Sequence, residues 1–160
     1  MPVVDRRPTG ALRWFLRAPI WLYRARLGAL LGRRFLYLAH RGRTTGLRRE
    51  VVLEVVGIDE ARREAYVVAA WGRRSDWLRN IEAAPAIEVR LGRRSWSEPQ
   101  HRLLDAAETA ALLRDYGRRH PRAWRALAPR LGLTADLAPD TVAEAVSRFP
   151  AVAFSPRAGR

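Results

Sequence analysis

An arginine-rich loop over residues 41–46, followed by Arg48 and Arg49, carries the residue types best suited to binding an anion. A tight hairpin loop exposes backbone N–H groups, threonine hydroxyls add donors, and guanidinium groups match pairs of phosphate or carboxylate oxygens. The same composition is typical of an ordinary polar hairpin whose arginines are solvated, so spacing alone leaves both interpretations open. The candidate anion-binding residues in and just after the loop are Arg43, Thr44, Thr45, Arg48 and Arg49.

A second candidate site lies where a predicted strand ends at Ala69, Ala70 and Trp71. The two small side chains would let a flat ring approach the backbone, and the indole could stack on that ring or wall a pocket. A short helix is predicted to follow, with Ser75 as its N-cap and Pro85 after its end. Its positive N-terminal end favours an anion or a carbonyl oxygen.

The predicted helix contributes side chains with alternative interpretations. Asn80 could bond to the edge of a heterocycle or support a neighbouring loop, whereas Trp77 lies one turn before Ile81 and is better suited to the core. The helix residues included in the candidate site are Asp76, Trp77, Leu78, Arg79 and Asn80.

Catalytic motifs are otherwise absent, since the sequence has no Gly-x-Ser-x-Gly elbow and no glycine-rich phosphate loop. Glu54 is a lone carboxylate on a predicted strand, where solvent or an arginine partner is its ordinary environment. Tyr116 is a candidate proton donor, although its spacing from Leu112 on a predicted helix also suits packing. The histidines are not at ligand spacing, so no metal site is expected.

Positive charge is the strongest bias in the composition. The chain has 30 basic residues, all of them arginine, against 16 acidic ones, and its net charge is +14. Such an excess favours an anionic partner, which could be nucleic acid, an anionic membrane or a small polyanion. Lysine and cysteine are both absent, which excludes lysine Schiff bases, thiol catalysis and disulfides, and a reducing, cytoplasmic compartment is expected.

The elements that must position these residues are predicted to form one domain over 1–160, mainly antiparallel β with added helices. A proline-interrupted amphipathic helix over 11–31 comes first, and it could pack on the sheet or lie on a membrane surface. The connections between the early strands are too short for parallel crossovers. The predicted strands cover 35–40, 49–58, 65–71, 87–91, 95–104 and 151–154, and the predicted helices cover 76–84, 105–119, 121–133 and 140–148.

An ordered set of short segments resembles the deazaflavin-dependent nitroreductase family of oxidoreductases. The set includes the loop, a later arginine, a small-residue strand end and a Trp-x-x-Asn helix, in the family's order and with compatible spacing. It covers roughly residues 34–104. The matching segments are Gly-Arg-Thr-Thr-Gly at 42–46, Arg49, Val-Val-Ala-Ala at 67–70, Asp-Trp-Leu-Arg-Asn at 76–80, Ala-Ala-Pro at 83–85 and Gly-Arg-Arg at 92–94.

This resemblance implies a split β-barrel that binds coenzyme F-420 and transfers a hydride to a small unsaturated or nitro-containing organic substrate. In such proteins the arginine-rich loop contacts the phosphate and the acidic tail of the cofactor, while the strand end and the helix contact its ring. Mapped onto this chain, the anion-binding residues are Arg43, Thr44, Thr45 and Arg49, and the ring-site residues are Ala69, Ala70, Trp71 and Asp76 to Asn80.

Two departures from the family pattern affect the expected activity. Thr44 replaces a common lysine, and Glu54 lies near the position where some nitroreducing members have a substrate-side tyrosine. The sequence therefore leaves open whether the protein reduces nitro groups, but hydride transfer to an unsaturated substrate is still expected. FMN is the alternative cofactor, and a basic nucleic-acid-binding module, which no sequence signature supports, is the alternative function. A homodimer and a peripheral contact with an anionic membrane are both compatible with the sequence.

Overall fold

The computed structural model describes residues 24–25 and 28–158, and within them it has eight β-strands and four α-helices. The predicted helix over 11–31 lies mostly outside the described residues. Its described end, Gly28–Leu31, is a short 3₁₀ turn. The strands are β1 (Phe35–Arg41), β2 (Arg48–Glu54), β3 (Gly57–Asp59), β4 (Glu64–Val68), β5 (Glu88–Leu91), β6 (Arg94–Ser97), β7 (Gln100–Leu103) and β8 (Ala151–Ser155), and the helices are α1 (Asp76–Ala83), α2 (Ala106–Arg119), α3 (Pro121–Leu127) and α4 (Pro139–Arg148).

The strands form two antiparallel sheets of four strands each. The first sheet has the order β2-β1-β5-β6, and the second has the order β3-β4-β8-β7. The β1–β2 hairpin places Phe35 opposite Glu54 at one end and Arg41 opposite Arg48 at the other. The predicted antiparallel architecture with added helices is therefore confirmed, and it takes the form of two hydrogen-bonded sheets.

A bend between β2 and β3 carries the chain from the first sheet to the second. The N–H of Val55 donates to the carbonyl of Arg34 in the first sheet, at 2.8 Å, whereas the N–H of Val56 donates to Tyr66 in the second sheet, at 2.9 Å. The single strand predicted over 49–58 is therefore wrong, because consecutive residues bond to different sheets.

A second bend, between β6 and β7, divides the strand predicted over 95–104. Glu98 adopts a φ of 45° there, and Pro99 follows it. Proline has no backbone N–H to donate to a neighbouring strand, so the chain changes sheet at a residue that could not have made that hydrogen bond.

Alternation along β1 decides which side chains enter the core between the sheets. Leu36 and Leu38 point inward and are fully buried, whereas Tyr37 and Ala39 pack on the opposite face of the sheet. The interior is closed by α1, whose Trp77 ring lies 6.4 Å from the ring of Phe154 on β8. The core interpretation of Trp77 is thus confirmed.

The other helices cover the outer face of the second sheet. A capping box at Asp105 begins α2, since the N–H of Glu108 donates to the Asp105 carboxylate at 2.8 Å and the Glu108 carboxylate accepts from the Asp105 N–H at 3.0 Å. The helix predicted over 121–133 ends at Leu127 and continues as a 3₁₀ turn, Ala128–Leu131. No helix within the described ranges is long and apolar enough to cross a membrane.

Candidate active site

The loop between β1 and β2 is a closed turn held by its own backbone. The N–H of Gly42 donates to the carbonyl of Leu47, and the N–H of Gly46 donates to the carbonyl of Gly42, both at 2.8 Å. Gly46 has a φ of +67°, which side chains disfavour. The hydroxyl of Thr45 accepts from the N–H of Leu47 at 3.3 Å, so it is partly used inside the loop, while Thr44 is exposed.

Helix α1 holds this loop through Arg43. The backbone N–H of Arg43 donates to Oδ1 of Asn80 at 3.0 Å, and its Nη1 donates to the same oxygen at 2.9 Å. Its Nη2 donates to Asp76 at 3.1 Å. The structure thus joins the two candidate sites predicted from the sequence, and Asn80 takes the loop-supporting role rather than presenting a free edge to a heterocycle.

A buried histidine completes the arrangement. The side-chain nitrogen of Asn80 lies 3.0 Å from Nδ1 of His40, and each of these two residues is only 4% exposed. Burial lowers the pKa of His40 to about 4, so the ring is neutral at neutral pH. The sequence interpretation did not select His40, although it occupies an inward position in the β1 alternation, where a polar residue is unusual.

The other arginines near the loop differ in whether their side chains are already bonded to protein partners. Arg48 is occupied, since it donates to the Tyr37 hydroxyl at 3.2 Å and to Glu88 at 3.3 Å on the outer face of the first sheet. Arg49 is exposed and has no ion-pair partner among residues 24–25 and 28–158. An anion at this end would therefore meet Arg49 and the unused donors of Arg43, which fits a ligand with phosphate and carboxylate groups.

Several predicted ring-site residues lie beneath the surface. Ala69 and Leu78 are at most 1% exposed in the core, and Ala70 packs under the helices that cover the second sheet. Trp71 is 38% exposed and available for contact. Ser75 occupies the N-cap position as predicted, but its hydroxyl makes no capping bond and is buried without a partner among the described residues.

The free edge of β2 links the loop to the other end of the strand. By this we mean the side of residues 48–54 that has no ladder partner in the described part of the chain. If the β3–β4 pairing, in which Gly57 is opposite Tyr66, continued along both segments, Ala70 would lie opposite Leu53. Leu53 belongs to β2, however, and pairs with β1. The two chain segments diverge there, and the N–H of Ala69 donates to the carbonyl of Pro150 at 2.9 Å instead.

A cleft of about 1210 Å³ opens at the far end of β2. The hydroxyl of Tyr116 on α2 donates to the carboxylate of Glu54 at 3.1 Å, and a guanidinium nitrogen of Arg34 lies 4.0 Å from the same carboxylate oxygen. Burial, with the neighbouring charge of Glu54, raises the pKa of Tyr116 to about 12, so the phenol stays protonated. Apolar residues of the wall include Val55, Ile58, Tyr66 and Leu112, and the basic residues are Arg33, Arg34, Arg119 and Arg122.

The cleft combines two residues that the sequence suggested separately, Glu54 and Tyr116, with arginines that it did not suggest. Arg34 and Arg119 are far apart in the chain, and Arg119 reaches the cleft by donating to the carbonyl of Val56 at 3.2 Å. Among the residues that the structure describes, no cluster of acidic or histidine side chains could hold a metal ion.

A family model described as F-420H(2)-dependent quinone reductase matches residues 14–127, more than half of the chain. The chain belongs to this family. The protein is therefore an oxidoreductase that uses coenzyme F-420, as the resemblance of its motifs indicated. No curated protein matches the sequence significantly.

Solved structures share the fold of this reductase at low sequence identity. A structure titled as an F-420-H2 dependent reductase, FDR-A, is 17% identical with a TM-score of 0.50, and the match covers 78% of this chain and 96% of that one. A protein titled as a domain-swapped dimer is 16% identical with a TM-score of 0.51, covering 86% and 100%. Atu2129 from Agrobacterium tumefaciens, of unknown function, is 18% identical with a TM-score of 0.50, covering 94% and 58%.

The residues of this reductase fit the cofactor's acidic part at the loop. Arg49, which has no ion-pair partner within the described part of the chain, and the exposed hydroxyl of Thr44 offer donors there, while the carboxylate of Asp76 is bonded to Arg43. The partnerless hydroxyl of Ser75 is a further buried polar group close to α1 that no other described residue satisfies. Such a group is costly unless something bonds to it.

Proposed function

We propose that this reductase binds F-420 along the free edge of β2 and transfers a hydride to a small unsaturated or nitro-containing organic acceptor in the cleft. The observation that carries the proposal is that one strand joins the arginine-rich loop to a largely apolar cleft. From Arg48 to Glu54 the strand spans roughly 20 Å, at about 3.3 Å per residue. An elongated cofactor matches this arrangement, with its acidic tail at the loop and its flat ring at the cleft.

The loop end supports binding of the tail. Arg49 and the outer donors of Arg43, with Thr44 and Thr45, would bond to the phosphate and the carboxylates. A guanidinium binds such oxygens in pairs, and each charged hydrogen bond is stronger than a neutral one. Trp71, which is exposed just before the start of α1, would line the path between the tail and the ring.

The cleft end supports binding of the ring and the acceptor. Small-molecule sites are concave and mostly apolar, with a few polar groups that fix the orientation of the ligand. Ile58 and Leu112 supply apolar wall, and Glu54 and Tyr116 are a hydrogen-bonded pair among its polar groups. The acidic Glu54 would disfavour an acceptor whose anionic group points toward it.

When bound, the reduced cofactor supplies the hydride. The chain must orient the acceptor and supply a proton to the atom that becomes negative. The Tyr116 hydroxyl is held by Glu54 and stays protonated at neutral pH, so it can give its proton to that atom and recover one from solvent in the open cleft. Arg34, beside Glu54, partly offsets the carboxylate charge.

A titration with three ligands tests the placement of the cofactor. Oxidised F-420, the deazaflavin fragment that lacks phosphate and tail, and FMN are compared by fluorescence. We expect F-420 to bind at least about tenfold more tightly than the fragment, because each charged contact contributes roughly 1.5–3 kcal/mol. Equal affinity of F-420 and the fragment, or preference for FMN, would overturn it.

A matched pair of variants locates the tail. Arg49→Ala removes an arginine beside the loop, and Arg93→Ala removes one exposed arginine in the β5–β6 turn at the opposite end of the sheet. Only the first should weaken F-420 binding. A screen of reduced F-420 with a quinone, an enone and a nitroaromatic compound then identifies the acceptor class, and oxidation with none of them would contradict the proposed activity.

We further infer that the two sheets are the halves of a split β-barrel within one domain. Their edge strands are joined by the bends at Val55–Val56 and Glu98–Pro99, which support continuity from sheet to sheet. Limited proteolysis should then leave a single resistant core that contains both sheets, and separate release of either sheet would contradict this inference.

A further inference from the structure

We propose that Asn80, held by His40, is the positioning residue that gives Arg43 its anion-binding geometry, and that neither residue touches the cofactor. This inference rests on the proposed function, because it concerns how the loop binds the tail. It assigns a role to His40, and it changes the role of Asn80 from a ring contact to a support.

The chemistry of the partners determines the orientation of the Asn80 amide. Arginine side chains and backbone N–H groups only donate hydrogen bonds, so the two donors from Arg43 must meet the Asn80 oxygen. The Asn80 nitrogen must then face His40 and donate to Nδ1. His40 therefore carries its proton on Nε2 and acts as an acceptor toward Asn80.

The protonation state of His40 is consequently part of the support. A protonated imidazole would present an N–H to the N–H of Asn80, which would break the bond. Burial lowers the pKa of His40 most strongly and the positive charge of Arg49 acts in the same direction, while a hydrogen bond to the Arg41 backbone and the charge of Asp76 raise it. Around neutral pH the acceptor is therefore maintained.

Both supporting residues are too buried to bind a large anionic ligand. Each is 4% exposed, whereas Arg43 is an exposed residue at the surface above them. Asn80 and Asp76 bond to Nη1 and Nη2, which leaves most of the five guanidinium N–H donors of Arg43 for a ligand. Holding the loop in advance lowers the ordering cost of binding, so the support should appear in tail affinity.

The test separates positioning from a structural role through paired variants of His40. His40→Leu removes the acceptor, whereas His40→Gln keeps a side-chain oxygen that can accept from Asn80. We expect His40→Leu to weaken F-420 binding about tenfold and to change binding of the tail-less fragment less than about twofold. His40→Gln should retain F-420 affinity within about threefold. Equal losses for F-420 and the fragment, or an unchanged F-420 affinity in His40→Leu, would overturn the inference.

A double-mutant cycle supplies the second measurement. If His40 acts through Arg43, His40→Leu should have no further effect on F-420 affinity in an Arg43→Ala background. Additive losses would overturn the inference. If His40→Leu does not fold, Asn80→Ala removes the same contact from the other side and takes its place in the cycle. Failure of the wild-type protein to bind F-420 more tightly than the fragment would instead contradict the proposed function.

Discussion

The two ends of β2 differ in how their polar side chains are held. At the loop end, Arg43 is exposed, but a buried chain of hydrogen bonds through Asn80 and His40 holds it from below. At the cleft end, Tyr116 and Glu54 bond directly to each other at the wall of an apolar concavity. The first arrangement suits recognition of charge at a surface, and the second suits a proton donor at the wall of an open cleft.

The difference teaches that affinity and turnover should be separable in this reductase. Charged contacts at the loop would contribute to binding of a part of the cofactor that does not react. Groups in the cleft would act on the acceptor and contribute little to tail binding. A mutation at the loop end should therefore change cofactor affinity and leave turnover nearly unchanged. A mutation at the cleft end should change turnover and leave cofactor affinity nearly unchanged.

The largest expected effect tests the loop end. The double variant Arg43→Ala/Arg49→Ala should lower F-420 affinity by about 100-fold, because two charged donors to the tail are lost. Affinity for the tail-less fragment should change less than about threefold, as measured by fluorescence titration. A similar loss for both ligands would place the ring, rather than the tail, at the loop.

The next effect tests the cleft end. Tyr116→Phe should lower kcat about tenfold or more and leave F-420 affinity within about twofold, because it removes one proton donor and keeps the packing. Glu54→Gln serves as the comparison, since an amide oxygen can still accept from the phenol. Steady-state kinetics with reduced F-420 checks both, and unchanged turnover in Tyr116→Phe would remove this residue from the reaction.

The support beneath Arg43 should have a pH signature. His40 titrates near 6.5 in an unfolded chain, but its pKa is about 4 when folded, so the unfolded state binds more protons between these values. The contribution of His40 to stability should therefore decrease as the pH falls from about 6.5 to 4, by roughly 2–3 kcal/mol.

Urea denaturation of the wild-type protein and His40→Gln checks this expectation. The difference between their unfolding free energies should change over this pH range, because the glutamine does not titrate. The other histidine with a lowered pKa, His101, is common to both proteins and cancels in the comparison. A constant difference between pH 7 and pH 4.5 would show that His40 does not stay neutral in the fold.

The smallest effect concerns Ser75, next to the loop-supporting helix. Its hydroxyl makes no capping bond, so Ser75→Ala should not show the loss of about 1 kcal/mol that is usual for an N-cap. We expect the free energy of unfolding to change by less than about 0.5 kcal/mol or to rise, because a buried polar group without a partner is removed. Thermal or urea denaturation of the cofactor-free protein measures it, and a full capping loss would contradict the observed geometry.

Much of the fold could be predicted because local patterns and tertiary packing agreed. The capping box at Asp105, the strand 151–154 and the helix after Ser75 lie within one or two residues of the predicted bounds. Each is marked by nearby residues, such as a cap, a proline or a run of apolar side chains. The bend at Val55–Val56 was missed because a continuous apolar run does not show to which sheet each residue bonds.

The sequence by itself determined the residue types of both ends of β2: an arginine-rich loop, a Trp-x-x-Asn helix, a strand carboxylate and a helix tyrosine. Only the tertiary structure decided their partners. It paired Arg43 with Asn80 and His40, and Tyr116 with Glu54. The physical reason is that helix and turn signals act over a few neighbouring residues, whereas these contacts join positions 37, 40 and 62 residues apart, which only the packing of strands and helices brings together.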